Sequence, residues 1–527
     1  MGLLYVVAVL VTCGALDYDM IHRDDEERKK AESEKRRYHL SVPFVYLPPI
    51  LAVLFVISCV KTGLGRAIEQ LIAFGFGLAV IVSLYYLILN AFLKGLRQYF
   101  SARACAMLWF VPTFLVLCFG GWPLVEPNWV IHLNKTVLWI ILSVWLLGFV
   151  GVWIWKLRED FCFRREIMAG ATVVTDQEIW ETLYEEMEKA GIKPDNTAPK
   201  RKKDNEKVTL YTIGKKLWGW MQPPEMPPDA EWVYQPNDFL IRSPHVKTPM
   251  TIGRSTILSS MYSLRIVLPE KDYSREEMML VLRHELIHIL RGDSKKKRLL
   301  VFCKALCWFN PLVWTAMRRS AEDMELSCDE AVVMEENEQT RKKYAELILQ
   351  TAGDERGFTT CLSASAESLR YRLKSIVRPG KRKAGIWILF PMLVLLYMSF
   401  GRVTLGFDAS TGAQLVFHGV DTARYEIASV HLSAEEEAYY RCADPEAFTE
   451  YLAGLPMSRL AGNYRSPSEP ELVVAYNGPE GSFGITVRGR ILEITPMREE
   501  TREDDEYNLK YYLDEDVDWD YIRSLLV

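Results

Sequence analysis

Residues 283–291 read Arg-His-Glu-Leu-Ile-His-Ile-Leu-Arg, and this stretch decides how the rest of the chain is interpreted. It contains His284, Glu285 and His288 at the HExxH spacing. On an α-helix, residues four apart lie on the same face, so the two imidazoles can bind one Zn²⁺ together. Glu285 then lies beside the metal, where its carboxylate can accept a proton from a water that attacks a carbonyl group. The spacing therefore predicts a hydrolytic zinc site on a helix.

Local signals around the motif predict where this helix begins and ends. Ser274 and Glu277 form an S-x-x-E capping box, and the apolar run 278–282 continues the helix. Gly292 offers a C-terminal stop. The chain has only 8 histidines, so two of them at this spacing inside a capped helix favour a metal site over coincidence.

A catalytic zinc site needs a third protein ligand and an open fourth position for water. Asn310-Pro311 predicts the start of a second helix, because Pro is tolerated at the first helical position. Further along it, Glu325 and Asp329 are four residues apart and share a face. We expect Glu325 to be the third ligand and Asp329 to orient a ligand histidine. Glu322 shares that face and is the rival ligand, and a solvated acidic face is the alternative.

Three cysteines near these motifs are predicted to pack rather than to bind metal. Cys328 adjoins Glu325 but lies one position off the face that Glu325 shares with Asp329, so we expect it in the core. Cys303 and Cys307 lie four apart in an apolar run and are also interpreted as packing residues.

The distribution of apolar residues predicts a membrane protein. About six apolar segments occur, and most are long enough to cross a hydrocarbon layer that needs about 20 helical residues. They span approximately residues 3–16, 42–60, 71–93, 105–122, 137–155 and 386–403. The first is short, and an imperfect span and a signal-like region remain alternatives for it.

Basic residues in the flanks predict the orientation of these spans. Lys and Arg cluster at residues 28–37, 94–103, 156–165 and 381–383. The stretch 121–136 has little basic charge and carries Trp122 and Trp129, so it is predicted to face outward. Both termini are then outside and the zinc motif inside, although Lys61 and Arg66 fall in an outer loop.

The predicted fold is mixed: a polytopic α-helical membrane protein with a cytoplasmic zincin-like domain, mostly α with some β, and a small extracellular α+β domain. The predicted divisions are 1–156 for about five N-terminal spans, 157–385 for the zinc domain, 386–405 for the last span and 406–527 for the extracellular domain.

Within these divisions several smaller elements are expected. Residues 176–190 read as an amphipathic helix, and the inserts 193–207 and 218–228 as flexible surface. Residues 299–309 fit either a helix that lies against the membrane or packs beneath the spans, or an ordinary buried core helix. The acidic tail is predicted to contain a helix at 444–453 and strands at 471–476, 484–488 and 490–495.

At this point the chain resembles a known family. His284–Asp293 (HELIHILRGD), 307–314 (CWFNPLVW) and 325–332 (ELSCDEAV) are similar to the BlaR/MecR-type membrane metallopeptidases, the sensor-transducers of the bacterial β-lactam response. The resemblance covers roughly residues 1–403 and is most specific over 241–333.

That family resembles the gluzincins, in which HExxH is joined by a downstream Glu in an ExxxD helix. Carried over, the resemblance implies that His284, His288 and Glu325 bind Zn²⁺. It also implies that Glu285 is the catalytic base and that Asp329 supports the ligands. Short strands in 242–253 and 265–269 would lie beside the site, one offering an edge to an extended peptide.

The chain departs from the family outside this region. The β-lactam sensors carry a large exported domain with an S-x-x-K serine, whereas the tail beyond Gly406 is much shorter and has no S-x-x-K. Ser58-Cys-Val-Lys61 and Lys61-Thr-Gly63 match such patterns only at the end of an apolar segment, where they cannot form a pocket. We therefore do not expect the protein to be acylated by β-lactams.

The leading functional hypothesis is an integral-membrane zinc endopeptidase of the bacterial plasma membrane. It would cleave a cytoplasmic transcriptional repressor, itself, or both, in response to an extracellular signal. The alternatives are a housekeeping protease of the CAAX-processing or heat-shock type and a non-proteolytic sensor with structural zinc. Expected partners are the lipid bilayer and that substrate. A homodimer stays open, and direct nucleic-acid binding is not expected, because the basic runs flank spans.

Overall fold

The computed structural model describes residues 47–115, 119, 124–190, 239–253, 264–334, 336–351, 366–377, 385, 388–417, 424–432, 439–465, 469–479, 481–496 and 509–527. The predicted segment 3–16, the basic clusters 28–37 and 381–383, Trp122 and the inserts 193–207 and 218–228 lie outside the described residues.

Helices and strands alternate along the described chain. The helices are α1 (Leu47–Tyr99), α2 (Ala102–Leu108), α3 (Lys135–Met168), α4 (Gln177–Lys189), α5 (Arg275–Arg291), α6 (Asp293–Leu306), α7 (Pro311–Val332), α8 (Glu338–Thr351), α9 (Ala366–Val377), α10 (Leu389–Ser399), α11 (Gly412–Leu415), α12 (Pro445–Gly454) and α13 (Trp519–Ser524). The strands are β1 (Leu124–Val125), β2 (Trp129–Leu133), β3 (Thr172–Val173), β4 (Leu240–Ser243), β5 (Met250–Gly253), β6 (Leu264–Pro269), β7 (Val403–Thr411), β8 (Glu426–Leu432), β9 (Tyr439–Tyr440), β10 (Pro456–Leu460), β11 (Tyr464–Arg465), β12 (Leu472–Gly478), β13 (Gly481–Arg488), β14 (Ile491–Pro496) and β15 (Leu509–Leu513).

Helix α1 contains a reversal at Gly63, whose φ of 79° and ψ of 158° are not helical. The Ser58 hydroxyl donates to Gln70 Oε1 at 2.6 Å, whereas a straight helix would separate residues 12 apart by about 18 Å. The chain therefore folds back at Gly63, where a positive φ favours glycine. The described part of the apolar segment 42–60, from Leu47 onward, and the segment 71–93 fall in the two arms of α1, with Lys61 and Arg66 at the turn between them.

Among the described residues, two helices are long and apolar enough to cross a membrane, α1 and α3. The segment 105–122 forms no single long helix in its described part, because α2 ends at Leu108 and a short 3₁₀-helix, Val111–Leu115, follows with Pro112 inside it. The helix within segment 386–403 is also shorter than expected, because α10 has 11 residues and β7 begins at Val403. The predicted last span, 386–405, is therefore wrong at its C-terminal boundary.

Helix α3 connects strand β2, which precedes it, to strand β3, which follows it. It thus links the two regions of the molecule that contain the sheets. Its 34 residues extend over about 51 Å. Many large apolar side chains along it are exposed, among them Trp139, Ile140, Leu147, Ile154 and Phe161. Such a continuous exposed apolar face is unusual in a soluble protein and fits contact with lipid.

Helix α6 packs in the interior beneath the apolar helices. Its residues Leu299 and Leu300 are buried, and Phe302 makes edge-to-face ring contacts with α3. A helix packed beneath the apolar segments, part of the first interpretation of residues 299–309, is the arrangement that the structure has up to Leu306. Gly148 on α3 allows this approach, since a Cβ there would lie 2.1 Å from the Trp308 ring.

A four-stranded sheet and several helices form the region around HExxH. The strand order is β3-β4-β6-β5, so β5 is an edge strand among the described residues. Helix α4 begins after Asp176, whose carboxylate caps it, and its apolar face packs on α5. Ser274 and Glu277 form the expected capping box, and Gly292 ends α5 with a left-handed φ of 65°. Asn310 caps α7, as its sequence predicts.

The second region is a nine-stranded sheet with the order β2-β7-β10-β15-β14-β13-β12-β8-β9. The predicted tail strands correspond to β12, β13 and β14, and the predicted helix to α12. Strand β2, however, belongs to the stretch between the first apolar helices and α3, and it pairs in parallel with β7. The sheet is thus not confined to residues 406–527, because residues 129–133 supply its edge.

An ion pair fixes α4 to the metal-motif helix and can be tested. The Glu186 carboxylate is 2% exposed and accepts from Arg283 Nε at 2.7 Å. Burial alone would raise the pKa of Glu186, but hydrogen bonds from Arg283 and Lys189 hold it below its ordinary value. Glu186→Gln should therefore destabilise the fold at neutral pH by about 1–3 kcal/mol, measured by thermal unfolding in detergent.

The pH dependence of this effect has a definite sign. Because the folded pKa of Glu186 is lowered, its contribution is complete at neutral pH and is lost as pH falls through that pKa. The difference in unfolding temperature between wild type and Glu186→Gln should shrink in acid. Glu185→Gln is the control, since its pair with Arg275 is solvent-exposed and should contribute little. Equal destabilisation by both variants would contradict the assignment.

Candidate metal centre

Helix α5 presents the two histidines of HExxH toward one point. The Nε2 atoms of His284 and His288 lie 3.1 Å apart, one helical turn separating their backbones. Helix α7 crosses beside α5 and brings Glu325 to the same point. Its Oε2 lies 3.6 Å from His284 Nε2 and 3.5 Å from His288 Nε2.

These three atoms have the spacing of ligands around one small cation. Ligands at about 2.0–2.1 Å from a tetrahedral Zn²⁺ lie about 3.3–3.4 Å from each other, close to the observed separations of 3.1, 3.5 and 3.6 Å. The other carboxylate oxygen, Glu325 Oε1, is buried and has no hydrogen-bond partner among the described residues; Lys297 Nζ lies 3.8 Å away. Because buried carboxylate oxygens are normally satisfied, the donor set fits a metal ion.

His288 is oriented by a buried group of charges at the end of α5. Its Nδ1 lies 2.7 Å from Asp293 Oδ2, and Asp293 Oδ1 accepts from Lys296 Nζ at 2.9 Å. With Nδ1–H donating to this carboxylate, the lone pair of Nε2 points to the metal position. Asp293 lies inside the motif HELIHILRGD, but sequence reasoning gave it no role.

His284 is oriented through a tyrosine that the sequence did not indicate. Its Nδ1 lies 2.8 Å from the Tyr344 hydroxyl, which donates to Asp329 Oδ1 at 2.9 Å. Asp329 Oδ1 itself is 3.6 Å from His284 Nδ1. Arg372 on α9 pairs with both oxygens of Asp329, at 2.6 and 2.9 Å. Asp329 thus meets the ligand histidine chiefly through Tyr344, and Tyr344 and Arg372 belong to helices with no local motif.

Glu285 lies next to the histidines and is held by the edge strand. It is buried, and the Thr251 hydroxyl on β5 donates to its Oε2 at 2.7 Å. This bond leaves Oε1 of the carboxylate as the oxygen that can meet a water at the metal position. The Thr251 hydroxyl thus joins Glu285 to strand β5.

Glu322, the rival ligand, lies elsewhere on α7. Its electrostatic neighbours are Arg97, Arg318, Arg319 and Asp323, and burial raises its pKa. The structure therefore brings Glu325, rather than Glu322, to the two imidazoles.

Cys328 lies closer to the histidines than the helix-face argument predicted. It is fully buried, and its Sγ and one nitrogen of each imidazole all lie within 4.8 Å of one another. Its thiol also faces the carbonyl oxygen of His284 at 3.6 Å. Cys303 and Cys307, by contrast, pack against the apolar cluster that α6 shares with α1 and α3.

The charges of these side chains depend on one another. Burial alone would lower the pKa of His284, but Cys328 and Glu325 outweigh it and raise that pKa to about 10. Burial opposes ionisation of Glu325, yet both histidines hold its pKa well below the ordinary value. The anionic surroundings that suit a divalent cation therefore also bind protons. Protons and a metal ion would compete for the same atoms.

Comparisons with known proteins cover this region. Residues 234–376 match the family described as BlaR1 peptidase M56. Over 137 residues the chain is 37% identical to "Regulatory protein BlaR1" of Bacillus licheniformis, a quarter of this chain (25%) and 22% of that protein. Over 117 residues it is 28% identical to "Methicillin resistance mecR1 protein" of Staphylococcus aureus and of Staphylococcus epidermidis, 22% of this chain and 19% of each relative. These matches confirm the BlaR/MecR-type resemblance, although the chain spans only about a fifth of the length of these relatives.

The choice of third ligand leads to a direct test. Glu325→Gln removes the charge that neutralises part of the cation, so metal affinity should fall by at least about 100-fold. Glu322→Gln, a matched change on the same helix, should leave affinity unaltered. Competition titration with a zinc chelator on the detergent-solubilised full chain measures both. Loss of affinity in Glu322→Gln alone would make Glu322 the ligand.

The tyrosine contact predicts a smaller effect. Tyr344→Phe removes only the hydroxyl between His284 and Asp329, so metal affinity should fall by about 10- to 100-fold. Tyr273→Phe is the matched control, because the buried Tyr273 hydroxyl has no hydrogen-bond partner among the described residues. Competition titration with the zinc chelator measures this effect as well. Equal metal affinities in Tyr344→Phe and wild type would show that the contact does not orient His284.

Proposed function

Since the chain is a BlaR/MecR-type protein by its peptidase region, we propose that it is an integral-membrane zinc endopeptidase. Its substrates are a cytoplasmic transcriptional repressor, the protein itself, or both, and an extracellular signal starts cleavage. The observation that carries the proposal is the convergence of His284, His288 and Glu325 within 3.6 Å, with Glu285 adjacent in the chain.

Zn²⁺, when bound by these three residues, supplies a Lewis acid that polarises the carbonyl of the substrate. Glu285 accepts the proton of the attacking water and transfers it to the leaving amine. Thr251 restrains the carboxylate by its hydrogen bond at 2.7 Å, so that one oxygen stays free for the proton. Asp293 and Tyr344 keep the two imidazoles in the tautomer that directs Nε2 at the metal.

Strand β5 is the proposed docking edge for the substrate. Among the described residues it pairs with β6 on one side only. Thr251 lies on this strand, so a peptide that pairs with its other side passes directly by Glu285. An added strand gains main-chain hydrogen bonds with little demand on side-chain sequence. This mode suits an extended loop of a folded repressor as well as a loop of the protein itself.

The membrane part of the proposal is supported by exposed apolar surface. Large apolar side chains are exposed on both arms of α1, on α3 and on α10. We propose that these helices cross or enter the bilayer, with residues 157–385 in the cytoplasm and the nine-stranded sheet outside. The relatives that the chain matches carry the descriptions of regulatory and resistance proteins, which agrees with a signalling role.

A route from the outer sheet to the metal is part of the proposal. Strand β7 follows α10 directly, and β2 leads directly into α3. On the inner side, Arg97 at the end of α1 binds Asp323 of α7, and Tyr371 of α9 donates to the Arg97 carbonyl. Movement of these helices would shift α7, and with it Glu325, relative to α5.

One observation favours a second candidate, a sensor in which the zinc is structural. Structural zinc sites are closed by four protein ligands, and Cys328 could supply the fourth donor beside the two histidines. Glu285 and its bond to Thr251 argue for catalysis, since a structural site needs no base.

The proposed catalysis is tested by Glu285→Ala in cells that also express a candidate repressor. Zinc binding should persist, because Glu285 is not a ligand, while cleavage should fall by about 10²- to 10⁴-fold with loss of the general base. Mass spectrometry should then find fragments in wild-type cells that are missing from the variant.

The control is Glu322→Gln, which keeps the site intact and should preserve the fragments. Identical fragment patterns in wild type and Glu285→Ala would remove the peptidase mechanism. Zinc retained in both proteins without fragments in either would favour the structural-zinc sensor.

A further inference from the structure

Cys328 is the buried nucleophilic side chain that the mechanism above leaves unused. We propose that its thiolate is a fourth ligand of the metal, and that it closes the site in the resting protein. The ligation itself stands on the geometry alone. Its consequence, a latent peptidase, rests on the proposed function.

The helix geometry of α7 brings the sulfur to the metal position. Successive residues turn by about 100°, so residue i+3 lies about 60° from residue i on the helix surface. Cys328 therefore lies on nearly the same face as Glu325, and its short side chain reaches the histidines of α5. Its Sγ and the imidazole nitrogens lie within 4.8 Å of one another. Tetrahedral ligation with Zn–S of about 2.3 Å requires about 3.5 Å between sulfur and nitrogen, a small adjustment for one side chain.

The second observation is the charge of the buried site. Glu325 is buried, and its Oε1 lacks a hydrogen-bond partner among the described residues, which indicates a cation beside it. Two neutral imidazoles and one carboxylate leave a net charge of +1 around a divalent ion. A thiolate cancels this charge, which matters because an uncompensated charge in the interior costs several kcal/mol.

The thiol lies beside both imidazoles and beside one carbonyl oxygen. Its described contact is with the carbonyl oxygen of His284 at 3.6 Å, at the long end of the range for a sulfur donor. On ligation the S–H proton leaves to solvent and the sulfur–metal bond forms, with no change of oxidation state. Activation then requires the sulfur to withdraw, so that water can take its position.

Helix α7 offers the means of withdrawal. It carries Glu325 and Cys328 on one face, and its outer contacts are Asp323 to Arg97 and Asp329 to Arg372. A small rotation of α7 would move the sulfur away from the metal, while the longer Glu325 side chain can follow. The same helix would thus keep the carboxylate ligand and release the thiolate.

The test uses zinc X-ray absorption on the wild-type full chain in detergent, which needs no variant. The expected result is one sulfur at about 2.3 Å together with nitrogen and oxygen at about 2.0 Å. A first shell of nitrogen and oxygen alone would overturn the proposal.

Cobalt substitution gives an independent measurement. Co²⁺ bound to wild type should show a thiolate-to-metal charge-transfer band in the near ultraviolet, and Cys328→Ser should lose it. Cys105→Ser is the matched control, since Cys105 is equally buried but lies on α2. If Cys328→Ser does not fold, Cys328→Ala serves in its place. A band that persists in the folded Cys328 variant, or is absent from wild type, overturns the assignment.

The consequence for activity is measured separately. Cys328→Ala should raise basal cleavage without a signal at least about tenfold, because water gains the fourth position. A sulfur ligand in wild type with no rise in cleavage would reject latency while leaving ligation intact. If neither wild type nor this variant cleaves anything, the proposed peptidase fails, and the absorption and cobalt spectra still decide the ligation.

Discussion

The packing of α5 against α7 is the constraint on which the rest of the structure depends. It holds two imidazoles and a carboxylate within 3.6 Å of one another in a nearly dry interior. Burying such groups without compensation would cost several kcal/mol. Asp293 contacts His288 and Tyr344 contacts His284, while Glu325 Oε1 has no hydrogen-bond partner among the described residues. Helix α6 supplies Asp293, and helix α8 supplies Tyr344.

The partners come from elements that lead to the apolar helices. Arg372, which holds both oxygens of Asp329, lies on α9, the last helix before α10. Asp323 lies on α7, as Glu325 does. It accepts hydrogen bonds from Arg97 near the end of α1 and from the indole of Trp109, which follows α2. Since a buried carboxylate that loses its partner is strongly destabilised, displacement of these segments would destabilise the part of α7 that carries Glu325.

Much of the site could be predicted from sequence, because its signals are local. The capping box at Ser274 and the left-handed Gly292 mark the two ends of α5. The spacing of Glu325 and Asp329 indicated that they share a face of α7. Tyr344 and Arg372 could not be predicted, since each acts across a long separation and leaves no periodic mark. Cys328 is buried in the core around α5, as predicted, but its closeness to the histidines was not foreseen. Positions i+3 and i+4 lie on either side of the same line on a helix, so both face the neighbouring helix.

The part that β2 plays in the nine-stranded sheet could not be predicted from the sequence, although β12, β13, β14 and α12 could. Strand β2 has only 5 residues, and its parallel pairing with β7 depends on a segment far along the chain. Parallel neighbours need a long crossover connection, and here the crossover contains the whole metal region. A single row of main-chain hydrogen bonds therefore joins the start of α3 to the end of α10. A displacement of this sheet would therefore act on α3 and α10 together.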